Sequence, residues 1–130
     1  MNNLKTIFSA DAFAKDTGIE ILEVSSGRAK VKMKISDKHK NAHGTVHGGA
    51  IFTLADCAFA LASNSHGIPA AAINATISYM KSSTSGTLYA EACEFSKNHK
   101  LATYNVSVTN ESGEKIALFQ GMVYRKTPRR

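Results

Sequence analysis

A single segment in the middle of the chain, residues 50–63, most limits what this sequence can fold into. It is rich in Ala, Leu and Phe and contains no Gly or Pro, a composition that favours helix. Its apolar side chains fall all around the predicted helix, which indicates burial on most sides. Because 130 residues suffice for one core of this kind, we expect residues 1–130 to form a single domain.

Short stretches rich in β-branched residues flank this helix, two before it and four after it, and turn residues separate them. The predicted strands are residues 19–24, 29–35, 70–80, 87–95, 101–109 and 115–124. This order favours an α+β architecture in which an antiparallel sheet of about six strands wraps around the central helix, because each then covers the apolar surface of the other.

The two ends of the chain differ from this centre. Apolar side chains at helical spacing predict a short N-terminal helix or arm within residues 1–17. They are Leu4, Ile7, Phe8 and Ala12. Residues 125–130 supply four of the six net positive charges and form a predicted basic tail. The chain has no Trp and no basic residues interleaved with stacking aromatics, so we expect no nucleic acid partner.

The location of the protein follows from patterns that the sequence lacks. The longest nearly apolar run, residues 50–62, is well short of the roughly 20 residues of a membrane span, and the charged N-terminal residues do not fit a secretory signal. Cys57 and Cys93 are too few for a disulfide framework, and we expect both to be packing residues. We therefore expect a cytoplasmic protein with no membrane partner.

The segment that enters the helix is the first candidate for chemistry. It reads Asn41-Ala42-His43-Gly44-Thr45-Val46-His47-Gly48-Gly49. Backbone N–H groups in the first turn of a helix have no partners within it and lie at the positive end of its dipole. The N–H groups at Gly48 and Gly49 could therefore hold an anion or a developing oxyanion. An ordinary tight turn is the alternative.

Asp56 is the only charged side chain between Ala50 and Ser65, and it lies in the most apolar part of the sequence. A carboxylate in such a place is costly unless it is paired, hydrogen-bonded or open to a cleft. It is therefore a candidate catalytic base or nucleophile. A structural carboxylate bonded to a neighbouring strand is the alternative.

The spacing of these two candidates predicts a dimer. Gly48 and Asp56 are eight positions apart, which is about 12 Å along a helix. A carbonyl held by the Gly48 N–H lies about 3 Å from that donor, and the attacking group about 3 Å further on, so one chain cannot complete the site. Two copies related by a two-fold axis, with antiparallel helices, would bring Gly48 of one to Asp56 of the other.

Three histidines before the helix, His39, His43 and His47, are spaced four residues apart, as metal ligands on a helix would be. Gly44 and Gly48 argue against a helix there, and no carboxylate or cysteine completes a ligand set, so we expect no metal. His47 is expected to hydrogen-bond within the turn or near a substrate, or to be an ordinary loop residue.

The motif Asn41-x-x-Gly44-x-x-His47-Gly48-Gly49, followed by Leu54-Ala55-Asp56, resembles the hotdog-fold acyl-CoA thioesterases of the phenylacetate-degradation (PaaI) type. The resemblance runs from about Gly18 to Gly121. It implies the hotdog fold, hydrolysis of acyl-CoA or aryl-CoA thioesters such as phenylacetyl-CoA without a cofactor, and a homodimer or homotetramer with sites shared between subunits.

The resemblance also implies roles for residues. Asp56 would act as nucleophile or activate water, and the Gly48 N–H would polarise the thioester carbonyl. Asn41 would help to position the attacking group, with His47 as a secondary polar contact. Further candidate substrate contacts are Gly49, Phe52, Phe59, Tyr79 and Met80. In the alternative interpretation, the last four are core residues. Candidate contacts to CoA phosphates are Lys81, Lys97, Lys100 and Arg125.

Two other functions fit the same fold. A hydratase or dehydratase acting on acyl thioesters would use a histidine near the acidic helix residue, and His47 is available. A non-catalytic acyl-CoA binding module would keep the cleft without needing an acid in it. Asp56 in the helix favours hydrolysis over both.

Overall fold

The computed structural model describes residues 8–127, which form two helices and six strands. The helices are α1 (Ala12–Thr17) and α2 (Gly48–Ser63), with a short 3-10 turn at Asp37–His39. The strands are β1 (Ile19–Ser25), β2 (Arg28–Lys34), β3 (Ala70–Tyr79), β4 (Thr87–Lys97), β5 (Leu101–Thr109) and β6 (Lys115–Arg125).

All six strands form one antiparallel sheet in the order β1-β2-β4-β5-β6-β3. Helix α2 packs on one face of this sheet, mainly over β2, β4 and β5. The predicted α+β architecture, a sheet wrapped around one long helix in the hotdog arrangement, is confirmed.

The core lies between α2 and the inner face of the sheet. Alternate residues of each central strand point inward because side chains alternate between the two faces of a strand. The largest fully buried side chains are Tyr104, Phe59, Phe119, Met33, Leu54, Leu88 and Ile116. The outer face carries lysines on β2 and polar or uncharged side chains on β5 and β6. No helix within residues 8–127 is both long and apolar enough to cross a membrane.

Helix α2 is buried on most sides, as predicted, and open along one narrow stripe. Most of its residues from Ile51 onward are buried, whereas one row is not. The open stripe consists of Gly49, Phe52, Thr53, Asp56 and Ala60. These positions recur at three- and four-residue intervals, so they share one side of the helix. Asp56 therefore lies where α2 is not covered by its own sheet.

Strand β3 is at the edge of the sheet beside β6, with its other side unpaired within the described residues. It contains no charged residue, and nearly all its side chains are exposed on both faces. Ile73, which interrupts the register with β6 between Ala72 and Asn74, is 57% exposed. A long, uncharged edge strand is a surface on which another strand can pair.

Within the described residues, the segment of the predicted N-terminal helix or arm is interrupted at Asp11. Helix α1 ends at Thr17, and Gly18 follows in the left-handed conformation (φ 85°) that glycine adopts readily. However, α1 begins only after Asp11, whose carboxylate caps it by accepting from the Ala14 N–H at 3.1 Å. Phe8 and Ser9 belong to a separate helical turn. Leu4 and Ile7 lie outside the described residues.

The predicted basic tail begins inside the sheet. Arg125 is the last residue of β6 and is buried, and its guanidinium donates to the Asn98 carbonyl at 2.8 Å. The Lys126 N–H then donates to the Pro69 carbonyl at 2.8 Å. Arg129 and Arg130 lie outside the described residues. The first residue of the segment is thus structural, because a buried guanidinium needs hydrogen-bond acceptors.

Candidate active site

Asn41 shapes the loop that leads into α2. Its Oδ1 accepts from the backbone N–H groups of His43 (2.9 Å) and Thr45 (3.2 Å), and its Nδ2 donates to Thr45 Oγ1 at 2.9 Å. The loop is tied down further because the Val46 N–H donates to the Ser83 carbonyl at 2.9 Å. In the single chain, the amide of Asn41 therefore fixes the approach to the helix.

His47 caps α2, and this places the start of the helix at Gly48 rather than at the predicted Ala50. The His47 Nδ1 accepts from the Gly49 N–H at 2.8 Å, and its carbonyl accepts from Ala50 and Ile51. Within residues 8–127 the Gly48 N–H donates to no acceptor. The first turn thus keeps one free donor at the positive end of the helix dipole, at Gly48 but not at Gly49.

Tyr79 covers Gly48 from the end of β3. Its hydroxyl donates to the Gly48 carbonyl at 3.0 Å. A Cβ added at Gly48 would lie 3.1 Å from the Tyr79 ring, so glycine is what lets the ring approach the backbone this closely. The Tyr79 side chain is about half exposed (51%).

Asp56 is half-buried, and within residues 8–127 its carboxylate has no hydrogen bond or ion pair. Burial raises its pKa, and the negative charge of Asp11 raises it further. A carboxylate that is desolvated, unpaired and more basic than usual is suited to accept a proton or to attack an electrophile.

Gly48 and Asp56 are both on α2, as predicted, and therefore about 12 Å apart along the helix axis. The single chain does not bring them together. Within one chain, the free N–H and the free carboxylate are therefore separate groups at two points along the same helix.

Cys57, next to Asp56, is not a nucleophile. Burial, together with the charges of Asp11 and Asp56, raises the pKa of its thiol to about 12, so the thiol is protonated at neutral pH. His39 is buried as well, with its Nε2 2.6 Å from the Thr17 carbonyl and its Nδ1 accepting from the Ser36 N–H. Within the described part of the chain no three His, Cys, Asp or Glu side chains are placed to hold a metal ion.

The aromatic candidates divide into two groups. Phe59 is 1% exposed, and its ring packs on Phe119 and Tyr104, so the alternative that it is a core residue is correct. Phe52 lies on the open stripe. Its ring packs edge-to-face on the ring of Phe119, with the two centroids 5.3 Å apart. Met80 is exposed beside Tyr79. Phe52, Tyr79 and Met80 can therefore reach a ligand at the surface, and Phe59 cannot.

The basic candidates are largely occupied. The Lys81 ammonium pairs with Glu114. The Lys100 ammonium bonds the Thr127 carbonyl and lies 5.5 Å above the Tyr124 ring centroid. Strand β3 runs from Ala70 to Tyr79, and Tyr79 contacts Gly48. Arg125 pairs with Ala70 at the other end of β3, and the same end of the sheet holds Lys97 and Lys100. These three cations are therefore far from Gly48 of the same chain.

Two residues of the site were missed by sequence reasoning. The negative charge of Asp11 raises the pKa of Asp56. The two residues are 45 positions apart in the sequence, so no sequence pattern indicated that they are coupled. Thr53 lies on the open stripe between Gly49 and Asp56, and its hydroxyl donates to the Gly49 carbonyl at 2.7 Å. The signal for Thr53 was present, since it is the one other polar residue in the apolar part of the helix before Asp56.

Comparison with known proteins gives consistent matches. A family model described as the thioesterase superfamily matches residues 43–117. A protein from Archaeoglobus fulgidus is 52% identical over 106 residues, covering 81% of this chain and 69% of that protein. The acyl-coenzyme A thioesterase PaaI of Escherichia coli is 36% identical over 124 residues, covering 95% of this chain and 89% of that enzyme.

A solved structure agrees with these sequence matches. The E. coli PaaI protein from the phenylacetic acid degradation operon superposes with a TM-score of 0.93 and 35% identity, covering 97% of this chain and 92% of that one. The region matched by the family model, residues 43–117, contains the loop after Asn41, the whole of α2, strands β3, β4 and β5, and the start of β6.

Proposed function

Because this chain belongs to the thioesterase superfamily, we propose that it hydrolyses acyl-CoA thioesters to a free acid and CoA, using Asp56 of one subunit and Gly48 of another. The observation that carries the proposal is the free N–H of Gly48 and the unpaired, desolvated carboxylate of Asp56 on one helix. These are the donor and the base or nucleophile that thioester hydrolysis needs.

In the proposed reaction the thioester carbonyl oxygen accepts from the Gly48 N–H. Negative charge develops on that oxygen as the tetrahedral intermediate forms, and the N–H with the helix dipole behind it stabilises the charge. Asp56 of the partner subunit removes a proton from the attacking water and passes it to the sulfur as the C–S bond breaks, or it attacks the carbonyl carbon itself to form a mixed anhydride, which water then hydrolyses to the free acid. The C–S bond then breaks, and CoA leaves as the thiol.

The acyl group would lie against the surface formed by Phe52, Tyr79 and Met80. Two of these side chains are aromatic and all are open to a ligand, which fits an aryl or medium-sized apolar acyl group better than a small polar one. Phenylacetyl-CoA is the substrate suggested by the name of the E. coli relative's operon.

The shared site requires a dimer. Phe52 is midway between positions 48 and 56 on α2. A two-fold axis running past the helix near Phe52 would place Gly48 opposite the partner's Asp56. The open stripe on α2 and the unpaired edge of β3 are the surfaces available for this contact. Pairing of such dimers into a tetramer, like the cytoplasmic location, stays a prediction.

The alternative functions are less well supported by the geometry. A hydratase or dehydratase needs a histidine that can exchange protons with substrate, but the Nδ1 of His47 is used to cap α2. A binding module has no use for an unpaired carboxylate, whose desolvation costs free energy.

The test is release of thiol from a panel of aryl-CoA and aliphatic acyl-CoA thioesters. We expect Asp56→Ala to reduce kcat by about 10²- to 10⁴-fold, the usual contribution of a positioned acid or base. Asp16→Asn, which removes an exposed carboxylate on α1, is the matched control. No thiol release from any substrate by the wild-type protein would rule out the hydrolase.

A mixed-oligomer experiment tests the shared site. Gly48→Pro removes the N–H, and Asp56→Ala removes the carboxylate, so each variant alone should be inactive. Unfolded together and refolded, the two should form mixed dimers with one intact site, and about a quarter of the wild-type activity should return. Failure of two folded, dimeric variants to complement each other would show that one chain contains the whole site.

A further inference from the structure

The peptide group between Gly48 and Gly49 is held at both of its ends by side chains. The Tyr79 hydroxyl donates to its carbonyl oxygen at 3.0 Å, and the His47 Nδ1 accepts from its N–H at 2.8 Å. Neither bond belongs to the backbone ladder of α2, which leaves the N–H groups of the first turn without partners. The peptide group directly after the free N–H of Gly48 is therefore fixed in orientation.

The free N–H of Gly48 needs such restraint to work as an oxyanion donor. Glycine has more conformational freedom than any other residue, and the ends of helices fray. A donor stabilises developing charge most when it points at that charge before the reaction and does not have to reorganise. Because the Gly48 N–H has no acceptor within residues 8–127, its direction depends on the groups that hold the adjoining peptide.

The two side chains that hold this peptide group differ in where they come from. His47 is in the same turn and moves with it. Tyr79 comes from another element, 31 positions along the chain, so its hydrogen bond ties the start of α2 to the sheet. Loss of the Tyr79 hydroxyl should therefore loosen the donor even with the His47 cap in place.

Tyr79 itself is well anchored at the end of β3. It pairs with Ala117 of β6, which is buried on the inner face of the sheet. The N–H of the next residue, Met80, donates to the Ile116 carbonyl at 2.8 Å. Since residues directly opposite on paired strands face the same side, the Tyr79 ring points inward, toward the start of α2.

The same ring accounts for the glycine at position 48. Gly48 is not among the residues with positive φ, so its backbone conformation does not require glycine. A Cβ there would lie 3.1 Å from Cζ of Tyr79 and 3.2 Å from its hydroxyl oxygen. The ring would have to shift by a few tenths of an ångström, which would disturb the bond to the Gly48 carbonyl.

We propose that Tyr79 is a positioning residue, whose hydroxyl and ring hold the Gly48 backbone so that its N–H stays directed at the thioester carbonyl oxygen. The inference rests on the proposed function, in which this N–H is the oxyanion donor. It gives the Tyr79 hydroxyl a partner in the protein, while the exposed part of the ring stays open to the acyl group.

The kinetic test begins with Tyr79→Phe, which removes the hydroxyl and keeps the ring. We expect kcat to fall by about two- to tenfold, the usual contribution of one hydrogen bond, with KM unchanged. The factor should be the same for aryl and aliphatic thioesters, because the loss affects the oxyanion rather than the acyl group. Tyr124→Phe is the control, since the Tyr124 hydroxyl has no hydrogen bond in the part of the chain that the structure describes. An unchanged kcat, or a rise in KM that depends on the acyl group, would overturn the inference.

A second set of variants tests why position 48 is glycine. Gly48→Ala keeps the N–H but displaces the ring, so it should lower kcat at least as much as Tyr79→Phe. In Gly48→Ala/Tyr79→Ala the ring is absent, and the added methyl group should cost no activity beyond that lost in Tyr79→Ala. If glycine instead served the close approach of substrate, the two losses would multiply, and this result would overturn the inference.

Nuclear magnetic resonance relaxation tests the same contact without an activity assay. The ¹⁵N order parameter of the Gly48 N–H should be about 0.85 in the wild-type protein, as in rigid backbone, and should fall toward about 0.6 in Tyr79→Ala. Tyr124→Phe should leave it unchanged. An equally rigid Gly48 N–H in Tyr79→Ala would overturn the inference. Absence of thiol release from the wild-type protein, with the expected relaxation change, would overturn the hydrolase and leave the restraint of Gly48 by Tyr79 established.

Discussion

Asp56 is held in a state that favours reactivity over stability. A carboxyl group whose pKa is raised in the folded protein contributes most to stability when it is protonated, below its ordinary pKa of 3.8. That contribution is lost as the pH rises through the raised value, because the folded state must then carry a desolvated charge. At neutral pH the ionised side chain therefore weakens the fold.

Asp56→Asn should accordingly be more stable than the wild-type protein at pH 7 while losing hydrolysis. The gain should shrink as the pH falls and vanish below about 3.8, where the wild-type carboxyl is also neutral. Urea unfolding of both proteins at several pH values measures the difference. A wild-type protein that is more stable than the variant at pH 7 would contradict this account of Asp56.

Asp11 provides a way to tune the same group. Its negative charge raises the pKa of Asp56, so Asp11→Asn should move the rising limb of the pH–activity profile to lower pH. Asparagine caps a helix as well as aspartate, so α1 should be kept. The measurement is kcat/KM against pH, with Asp16→Asn as the control that leaves the limb in place. An unmoved limb in Asp11→Asn would exclude electrostatic coupling between the two carboxylates.

Gly121 of β6 is required by the ring of Phe59. A Cβ at this position would lie 2.6 to 2.9 Å from three ring atoms, and the fully buried ring has no room to move. Gly121→Ala should lower the free energy of unfolding by about 1 to 3 kcal/mol, as overpacking does. In Gly121→Ala/Phe59→Leu the two losses should be less than additive, and urea unfolding of the four proteins gives the coupling.

At the scale of the element, the start of α2 depends on His47. His47→Ala should lower the free energy of unfolding by about 1 kcal/mol, as is typical when an N-cap is lost, because the Gly49 N–H loses its acceptor. His47→Asn keeps an acceptor at that place and should unfold like the wild-type protein. Equal stability of the two variants would mean that the cap contributes little.

The elements themselves were largely predictable from sequence. The strand 101–109 has the predicted ends, and the others differ by one or two residues, because turn residues separate stretches of clear alternation. The start of α2 was missed because a histidine cap depends on a side-chain rotamer, which propensity does not encode. The interruption of the N-terminal helical segment at Asp11 was missed because apolar residues keep helical spacing on both sides of this capping residue.

The site was less predictable than the fold. The apolar surroundings of Asp56 indicated it as a candidate, and the glycine-containing segment just before the predicted helix indicated the Gly48 N–H as a candidate donor. The role of Phe59 was open because aromatic residues at the helix surface and in the core have the same local sequence pattern. The partners of Lys81 and Arg125 come from Glu114 and Asn98, which are distant in sequence, so only the folded chain shows that these cations are occupied.

At the scale of the whole molecule, the edge of β3 should decide the oligomeric state. Ile73→Lys places a charge on this uncharged strand, so it should shift the protein to monomer and abolish thiol release together. Leu22→Lys is a matched control, since Leu22 is also an exposed apolar residue at a register shift of an edge strand, β1. Sedimentation velocity gives the oligomeric state of both variants, and the thiol-release assay gives their activity. A dimeric, active Ile73→Lys protein would place the subunit contact elsewhere.

In the proposed dimer, the unpaired edge of β3 would also make the stability of the protein depend on its concentration. Because partner binding stabilises the folded chain, the unfolding midpoint of a dimer held by this strand should fall on dilution. Newly made chains at low abundance would spend longer with ten uncharged residues unpaired, at risk of joining strands of other proteins. The amount of this protein that a cell makes would then set how long each copy survives.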